Sequence, residues 1–368
     1  MRVIFAGGGT AGHVNPALAV ANYIKKTEPD SQIWFFGGTG NIEEKLVEKA
    51  GYPIYTFPLR GLSRSMSLKG MAQNAKALLD TAAAIRGCKK IIRELKPDLV
   101  MGTGGYASFA MVYAAAKCGV KTAVLEVNAV PGITVKQLSD KVDCVMLNFA
   151  ETAKHVKKAK RIEVTGSPIR EEIVRCGERK DAPLFDNGMP LVVSFWGSVG
   201  AKYMNQKMEE FIVCNARTPR FNHIHAAGSS QYGWMKADLE AQGIDPDTYD
   251  HIDLREYIYD MDKVLAQADL VICRGGGTLA ELCAAGKPSI VVPSPYAAEN
   301  HQEKNARILE QAGAAEVVVE ADATGAGLFA RASQLLDCPE LLREMGAKAR
   351  ALGHPEALEH IYHTLKSL

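Results

Sequence analysis

Short apolar runs alternate with longer segments whose apolar residues recur every three or four positions, and this alternation continues along nearly the whole chain. The first run, Arg2 to Ala6, predicts a buried strand, since an unbroken apolar run bounded by glycine suits a strand covered on both faces. An amphipathic helix from Pro16 to about Lys26 follows, with Pro16 placed in the first turn, where its missing N–H costs nothing. Further strands are predicted at Gln32–Phe36, Pro53–Phe57, Leu99–Met101, Lys121–Val127, Val142–Leu147 and Ile162–Val164, with helices at Ile42–Ala50, Ala107–Lys117 and Thr134–Ser139. Residues Arg175 to Pro190 are charged and rich in turn formers, which marks the approach to a second domain. There the pattern restarts, with strands at Leu191–Phe195, Asn222–Ala226, Asp250–Asp253, Leu270–Cys273, Ser289–Val292 and Ala315–Val318 and helical segments between them. This is the signature of α/β architecture built from two Rossmann-like, doubly wound parallel sheets. Pro339 to Leu368 has helical spacing with breaks expected at Gly346, Gly353 and Pro355.

Glycine runs fall where predicted strands end: Gly7-Gly8-Gly9-Thr10-Ala11-Gly12-His13, Gly102-Thr103-Gly104-Gly105-Tyr106, Gly197-Ser198-Val199-Gly200-Ala201 and Arg274-Gly275-Gly276-Gly277-Thr278. A glycine run that opens a helix gathers bare N–H groups and the positive helix end, which stabilise phosphate. Glycine is also the ordinary residue of tight strand-to-helix turns, so each loop alone says little. The first loop lacks a following Lys, which disfavours a nucleotide-hydrolysing P-loop. After the last glycine run, Glu299-Asn300-His301-Gln302 and Asn305 supply donors and acceptors suited to hydroxyls. Phosphate chemistry beside hydroxyl chemistry points to a nucleotide-sugar.

Composition narrows this further. A chain of 368 residues exceeds what one core usually supports, and a net charge of +1 argues against a general nucleic-acid binder. No apolar run has membrane-spanning length and no signal-peptide pattern precedes the first strand, so a cytoplasmic chain is expected. The eight cysteines are scattered without C-x-x-C pairs, the pattern of core thiols in a reducing compartment rather than of a zinc site. Asp245-Pro246-Asp247 and Asp260-Met261-Asp262 spell D-x-D, yet neither directly follows an apolar strand as a nucleotide–metal clamp would, so no catalytic metal is expected. Arg60 to Lys96 interleaves cations, Lys89, Lys90 and Arg93 among them, with apolar residues. Two readings stand: a helix whose apolar stripe packs on its own sheet, or a surface that meets anionic lipid headgroups.

Taken together, the glycine loops, Gly166-Ser167-Pro168-Ile169-Arg170, Phe195-Trp196-Gly197-Ser198, Arg274 to Glu281 and His301-Gln302-Glu303-Lys304-Asn305 resemble the MurG family of bacterial glycosyltransferases, in order from Met1 to about Arg350. The resemblance implies a GT-B fold whose two domains face a cleft: residues 1–165 towards acceptor and membrane, 166–345 for the donor, and a C-terminal helix, 346–368, crossing back to the first domain. It implies inverting transfer of N-acetylglucosamine from UDP-N-acetylglucosamine to a lipid-linked muramyl-pentapeptide, without a cofactor. The expected location is peripheral, on the anionic inner leaflet at the cytoplasmic face, with a cell-wall synthesis complex as a further partner. His13 and Asn128 are the catalytic candidates. His13 sits at a helix start and titrates near working pH, as a base or acceptor-orienting group requires; the plainer reading is that it caps or packs the loop.

Thr10, Ala11 and Gly12 accompany His13, and Gly104, Gly105 and Tyr106 form an acceptor loop. Arg170 and Ser198 are assigned to the pyrophosphate, the Ile258 main chain to uracil, and Glu281 to the ribose, with Gly277 and Thr278 beside it. Asn128, Gln302 and Asn305 are assigned to sugar or acceptor hydroxyls, and His301 is their neighbour. Two other enzymatic readings remain: a related GT-B transferase with another lipid acceptor, and a UDP-sugar epimerase. A non-catalytic sugar-nucleotide sensor is the third.

Overall fold

The computed structural model describes residues 1–59, 67–176, 181–197 and 200–368, leaving Arg60 to Met66, Gly177 to Lys180, Ser198 and Val199 outside the described residues. The side chains of residues 68–70 and 72 are outside the description too. The chain divides into two units, Met1–Ile169 with Pro355–Leu368, and Arg170–His354.

In the first unit seven parallel strands, β1 (Arg2–Gly7), β2 (Gln32–Gly38), β3 (Ile54–Phe57), β4 (Leu99–Gly104), β5 (Lys121–Glu126), β6 (Cys144–Leu147) and β7 (Ile162–Val164), lie in the order β3-β2-β1-β4-β5-β6-β7. Alternate residues serve opposite faces: Val3 and Phe5 join one core cluster, Ile4 and Ala6 the other. That two-sided burial explains why the strands read as unbroken apolar runs. The order reverses direction between β1 and β4, and a ligand of an open sheet sits outside the carboxyl ends at such a point.

The second unit repeats the plan with β8 (Leu191–Phe195), β9 (Asn222–Ala226), β10 (Ile252–Arg255), β11 (Leu270–Cys273), β12 (Ser289–Val291) and β13 (Ala315–Val317) in the order β10-β9-β8-β11-β12-β13. Its switch point falls between β8 and β11. Both sheets are therefore doubly wound, as the alternation predicts.

Several local expectations are corrected. The first helix spans Ala11–Thr27, so Pro16 lies in its interior rather than its first turn. The bond that proline forgoes would have gone to the carbonyl of Gly12, an exposed residue. Gly102 to Gly104 complete β4 instead of forming a loop, and the next helix begins at Gly105. A side chain at Gly102 would meet Ser108 Oγ at 2.3 Å, so glycine there lets helix and strand close up.

The helix Pro339–Leu352 runs through Gly346 unbroken. A Cβ on Gly346 would lie 2.7 Å from the Gly286 carbonyl, so this glycine permits close packing and does not end the helix. Cys118 and Cys338 are exposed, against the expectation of core thiols.

The last helix, Ala357–Lys366, packs in the first unit, with Ile361, Tyr362 and Leu365 in the same core as Val14 and Val20. Glu28 fixes it there, accepting from Tyr362 Oη at 2.7 Å and Lys366 Nζ at 2.6 Å. Lys366 first, then Tyr362 and the terminal amine, hold the Glu28 carboxyl down at about 2.

On the helix Leu68–Leu95, Ala77, Ala84, Cys88, Ile91 and Ile92 are buried, while Met71, Leu78 and Leu79 are 61%, 63% and 72% exposed. The packed-stripe reading thus accounts for the second half of this helix. Among the described residues no helix is long and apolar enough to cross a membrane.

Candidate functional site

In the first unit the switch point is lined by the Gly7–His13 and Gly104–Tyr106 stretches. Gly9 turns the chain at φ +85°, Thr10 is extended, and the helix starts at Ala11, which places His13 in its first turn. His13 Nδ1 lies 2.9 Å from the Gly8 carbonyl. A carbonyl only accepts, so Nδ1 carries a proton and donates it to this bond. Gly104, at φ +108°, packs against that ring: a Cβ there would stand 2.7 Å from Cδ2. Gly105 likewise abuts the Gly8 carbonyl, where a Cβ would come within 2.1 Å. Thr103 Oγ1 donates to the His13 carbonyl at 2.6 Å. Ring and loop are thus fitted together by glycines that leave no room for a side chain.

Glu43 was not among the sequence candidates, yet it anchors this loop. It is fully buried and accepts from Gly9 N at 3.0 Å and Gly38 N at 2.9 Å. Its sequence signal is faint, an acid in the first turn of an amphipathic helix where acids are common anyway. Asn41 donates to Tyr106 Oη at 3.0 Å, tying that tyrosine to the same helix start. Asn128 is half-buried just past β5, and its backbone N and Nδ2 both donate to Glu126 Oε1, at 2.9 and 3.0 Å. Gly132 N reaches the other oxygen at 2.8 Å. Burial raises the Glu126 carboxyl, and these donors oppose the shift. Asn128 is therefore oriented by a buried carboxyl two residues before it.

In the second unit β8 runs into Trp196 and Gly197, and β11 into Arg274 and the glycines. Arg274 is committed to the fold: Nη1 donates to the Val292 carbonyl at 3.0 Å, Nη2 meets Glu320 at 2.5 Å, and the guanidinium lies over the Trp196 ring. Gly275 packs on the Gln302 main chain, where a Cβ would come within 2.2 Å of the carbonyl. Gly276 and Gly277 by contrast face open space ahead of the helix Thr278–Ala285. That opening, at a helix start and a strand's carboxyl end, suits a nucleotide.

Arg170 and Glu281, expected at pyrophosphate and ribose, are paired with each other here, Nε and Nη2 each 3.3 Å from Oε1. Burial raises the Glu281 carboxyl and Arg170 works against it. Ile258 buries its side chain, so any ligand contact there is through the main chain. Gln302 Oε1 accepts from Ser294 N at 2.9 Å. Asn305, assigned to a sugar hydroxyl, is 2% exposed and donates Nδ2 to the Gly275 carbonyl at 3.1 Å, a brace behind the glycine run. His301 Nδ1 bonds the Ala298 carbonyl at 2.8 Å. Two consecutive left-handed residues, Glu299 and Asn300, precede that helix, and such backbone costs about 1–3 kcal/mol per residue. Ser198 lies outside the described residues.

Both D-x-D pairs serve the fold. Asp245 caps a short helix through Asp247 N, Asp247 pairs with Lys236, and Asp260 pairs with Arg255.

Residues 3–147 match the glycosyltransferase family 28 N-terminal domain and residues 191–361 its C-terminal domain. The chain is 39% identical over 371 residues to the UDP-N-acetylglucosamine–N-acetylmuramyl-(pentapeptide) pyrophosphoryl-undecaprenol N-acetylglucosamine transferase of Caldanaerobacter subterraneus subsp. tengcongensis, covering all of both chains. It is similar to the crystal structure of Acinetobacter baumannii MurG, with a TM-score of 0.78 and 28% identity over 100% of this chain and 99% of that one. It also shares its fold with the UDP-GlcNAc 2-epimerase of Neisseria meningitidis, solved bound to UDP-GlcNAc, at a TM-score of 0.67 and 14% identity over all of both chains. The likeness to the epimerase is one of fold alone.

Proposed function

This chain belongs to glycosyltransferase family 28, within its MurG branch and with the GT-B fold, and we propose that it transfers N-acetylglucosamine from UDP-N-acetylglucosamine to the 4-hydroxyl of a muramyl-pentapeptide carried on undecaprenyl pyrophosphate. The observation that carries this reading is the 39% identity across the whole chain to a transferase of that name. The acceptor oxygen attacks the anomeric carbon as the bond from that carbon to the diphosphate breaks, and its electron pair leaves with UDP. His13 Nε2 takes the hydroxyl proton, with Nδ1 held by the Gly8 carbonyl. The open Gly276 and Gly277 before Thr278, together with Gly197 at the end of β8, receive the nucleotide, where backbone N–H groups meet the growing negative charge.

Purified protein given labelled UDP-N-acetylglucosamine and detergent-dispersed lipid acceptor is expected to yield the disaccharide lipid. Conversion of the donor without acceptor would favour the epimerase instead, and donor binding with no turnover a sensor.

We further assign the exposed Met71, Leu78 and Leu79 to the cytoplasmic face of the membrane, with Lys76, Lys90 and Arg93 nearby on the same helix for anionic headgroups. Met71 and Leu78 are seven residues apart and so share a face. Replacing Leu78 and Leu79 by Glu is expected to weaken co-sedimentation with anionic vesicles about tenfold or more, since inserting one leucine is worth about 1.5–3 kcal/mol. Lys89→Glu, Lys90→Glu and Arg93→Glu together are expected to do less, and turnover of dispersed acceptor is expected to hold. Vesicle binding unchanged by the leucine replacements would place the membrane face elsewhere.

A further inference from the structure

Glu43 is a fully buried carboxyl in the first turn of the helix Ile42–Lys49, and no step of the transfer passes through it. Glycines on two neighbouring segments make its slot: a Cβ on Gly8 would stand 2.2 Å from Oε1, and one on Gly37 would stand 2.5 Å from Cγ. Both carboxyl oxygens are bonded to the main chain. Oε1 accepts from Gly38 N at 2.9 Å, at the end of β2, and Oε2 accepts from Gly9 N at 3.0 Å, at the turn that leads into the His13 helix. A carboxyl is costly to take out of water unless its oxygens are bonded in this way.

The bond to Gly9 N reaches His13 through one peptide unit. Gly9 N and the Gly8 carbonyl belong to the same planar trans amide, whose N–H and C=O point in opposite directions. A carboxyl that takes the N–H on one side therefore sets the carbonyl on the other, and that carbonyl accepts from His13 Nδ1 at 2.9 Å. An amide between two glycines is the easiest kind to turn over, since neither flanking residue has a Cβ to resist the change. Turned over, it would face His13 with an N–H, which calls for a lone pair on Nδ1 and puts the proton of a neutral ring on Nε2.

No other contact decides this. Thr10 Oγ1 lies farther from Nδ1, at 3.4 Å, and a hydroxyl either donates or accepts. Gly8 N bonds the Gly104 carbonyl at 3.3 Å, which holds the chain ahead of the amide and leaves the amide plane itself to Glu43. We propose that Glu43 is a positioning residue for glycosyl transfer, which through the Gly8–Gly9 amide fixes the His13 ring and its tautomer, so that Nε2 is the nitrogen left to take the acceptor proton. The proposal rests on the reading of His13 as the base.

Steady-state kinetics and imidazole NMR on the full-length protein test it. Glu43→Met fills the slot but offers no acceptor to either N–H. It is expected to lower kcat about 10- to 100-fold, the loss that a displaced catalytic group brings, with KM for UDP-N-acetylglucosamine within about twofold. In a His13→Ala background the same replacement is expected to change turnover by less than about twofold, because Glu43 acts through the ring. Equal losses in both backgrounds, or wild-type kcat in Glu43→Met, would overturn the proposal. Imidazole nitrogen shifts of His13, read above the usual histidine titration range, are expected to show Nδ1–H in the wild type and a shift towards Nε2–H in Glu43→Met. An Nε2–H ring in the wild type, or an unmoved Nδ1–H ring in the variant, would also overturn it. Should Glu43→Met not fold, Glu43→Asp, one methylene shorter and so withdrawn from both N–H groups, carries the same comparisons. A His13→Ala protein with wild-type turnover would overturn the reading of His13 as the base instead, and the imidazole shifts would still report on what Glu43 holds.

Discussion

His13→Ala is expected to lower kcat for glycosyl transfer by about 10²–10⁴, the usual contribution of a general base, while leaving KM for UDP-N-acetylglucosamine within about twofold. The expectation follows from the ring's setting. The Gly8 carbonyl accepts a hydrogen bond from Nδ1 at 2.9 Å, and Gly104 leaves no room for a β-carbon beside the ring, so the ring is held in one orientation. The competing view, a histidine that only packs the loop, makes a different forecast. His13→Asn can return an amide N–H to the Gly8 carbonyl and so restore the loop, but it offers no base. If His13 is the base, Asn is as inactive as Ala; recovery of turnover in His13→Asn would reduce His13 to a loop brace. Thermal melts of both variants separate a catalytic loss from a folding one.

Much of the architecture was legible because both sheets are buried on two faces, which writes each strand as an apolar run ended by glycine. The errors lie where one residue type serves two physical ends. Pro16 reads as a helix start, yet the helix begins at Ala11 because Gly9 has already turned the chain and Thr10 stands extended before it. Gly346 reads as a breaker, yet it is the point where one helix approaches the Gly286 carbonyl. The glycine loops were legible as strand-to-helix turns, because the positive φ of Gly9, Gly104 and Gly105 is what such turns require. The role of Glu43 and the bonds of Ser194 to His223 and His225 were not, since their partners are backbone groups or side chains on other elements, and neither helical nor strand periodicity carries that information. One trace was present: Asn222-His223-Ile224-His225-Ala226 sets two histidines on one face of a strand buried on both sides, and a buried polar pair requires partners.

Glu281→Gln is expected to raise KM for UDP-N-acetylglucosamine about 10- to 100-fold with kcat at saturation near wild type. Both Arg170 contacts to Glu281 Oε1 are 3.3 Å, long for charge-assisted bonds, and the guanidinium is 53% exposed. Such a pair contributes little stability and exchanges readily. A ribose diol donating to the carboxylate and a diphosphate meeting Arg170 would replace it by shorter, better-paired contacts. Hydrogen bonds to a charged acceptor are worth about 1.5–3 kcal/mol, which sets the size of the loss in Glu281→Gln. Ribose lies far from the bond that breaks, so the contact is equal in ground and transition states and the loss falls on KM.

The sign of the pH dependence follows. Burial raises the Glu281 carboxyl, so on acidification it protonates earlier than an ordinary glutamate, and donor affinity is lost at that higher pH. Arg170 opposes the shift, so Arg170→Ala is expected to move the loss to still higher pH, whereas Glu281→Gln makes donor KM flat over the same range. A Glu281→Gln protein with wild-type KM and an unchanged acid limb would remove Glu281 from the ribose and leave it only as the partner that keeps Arg170 in place.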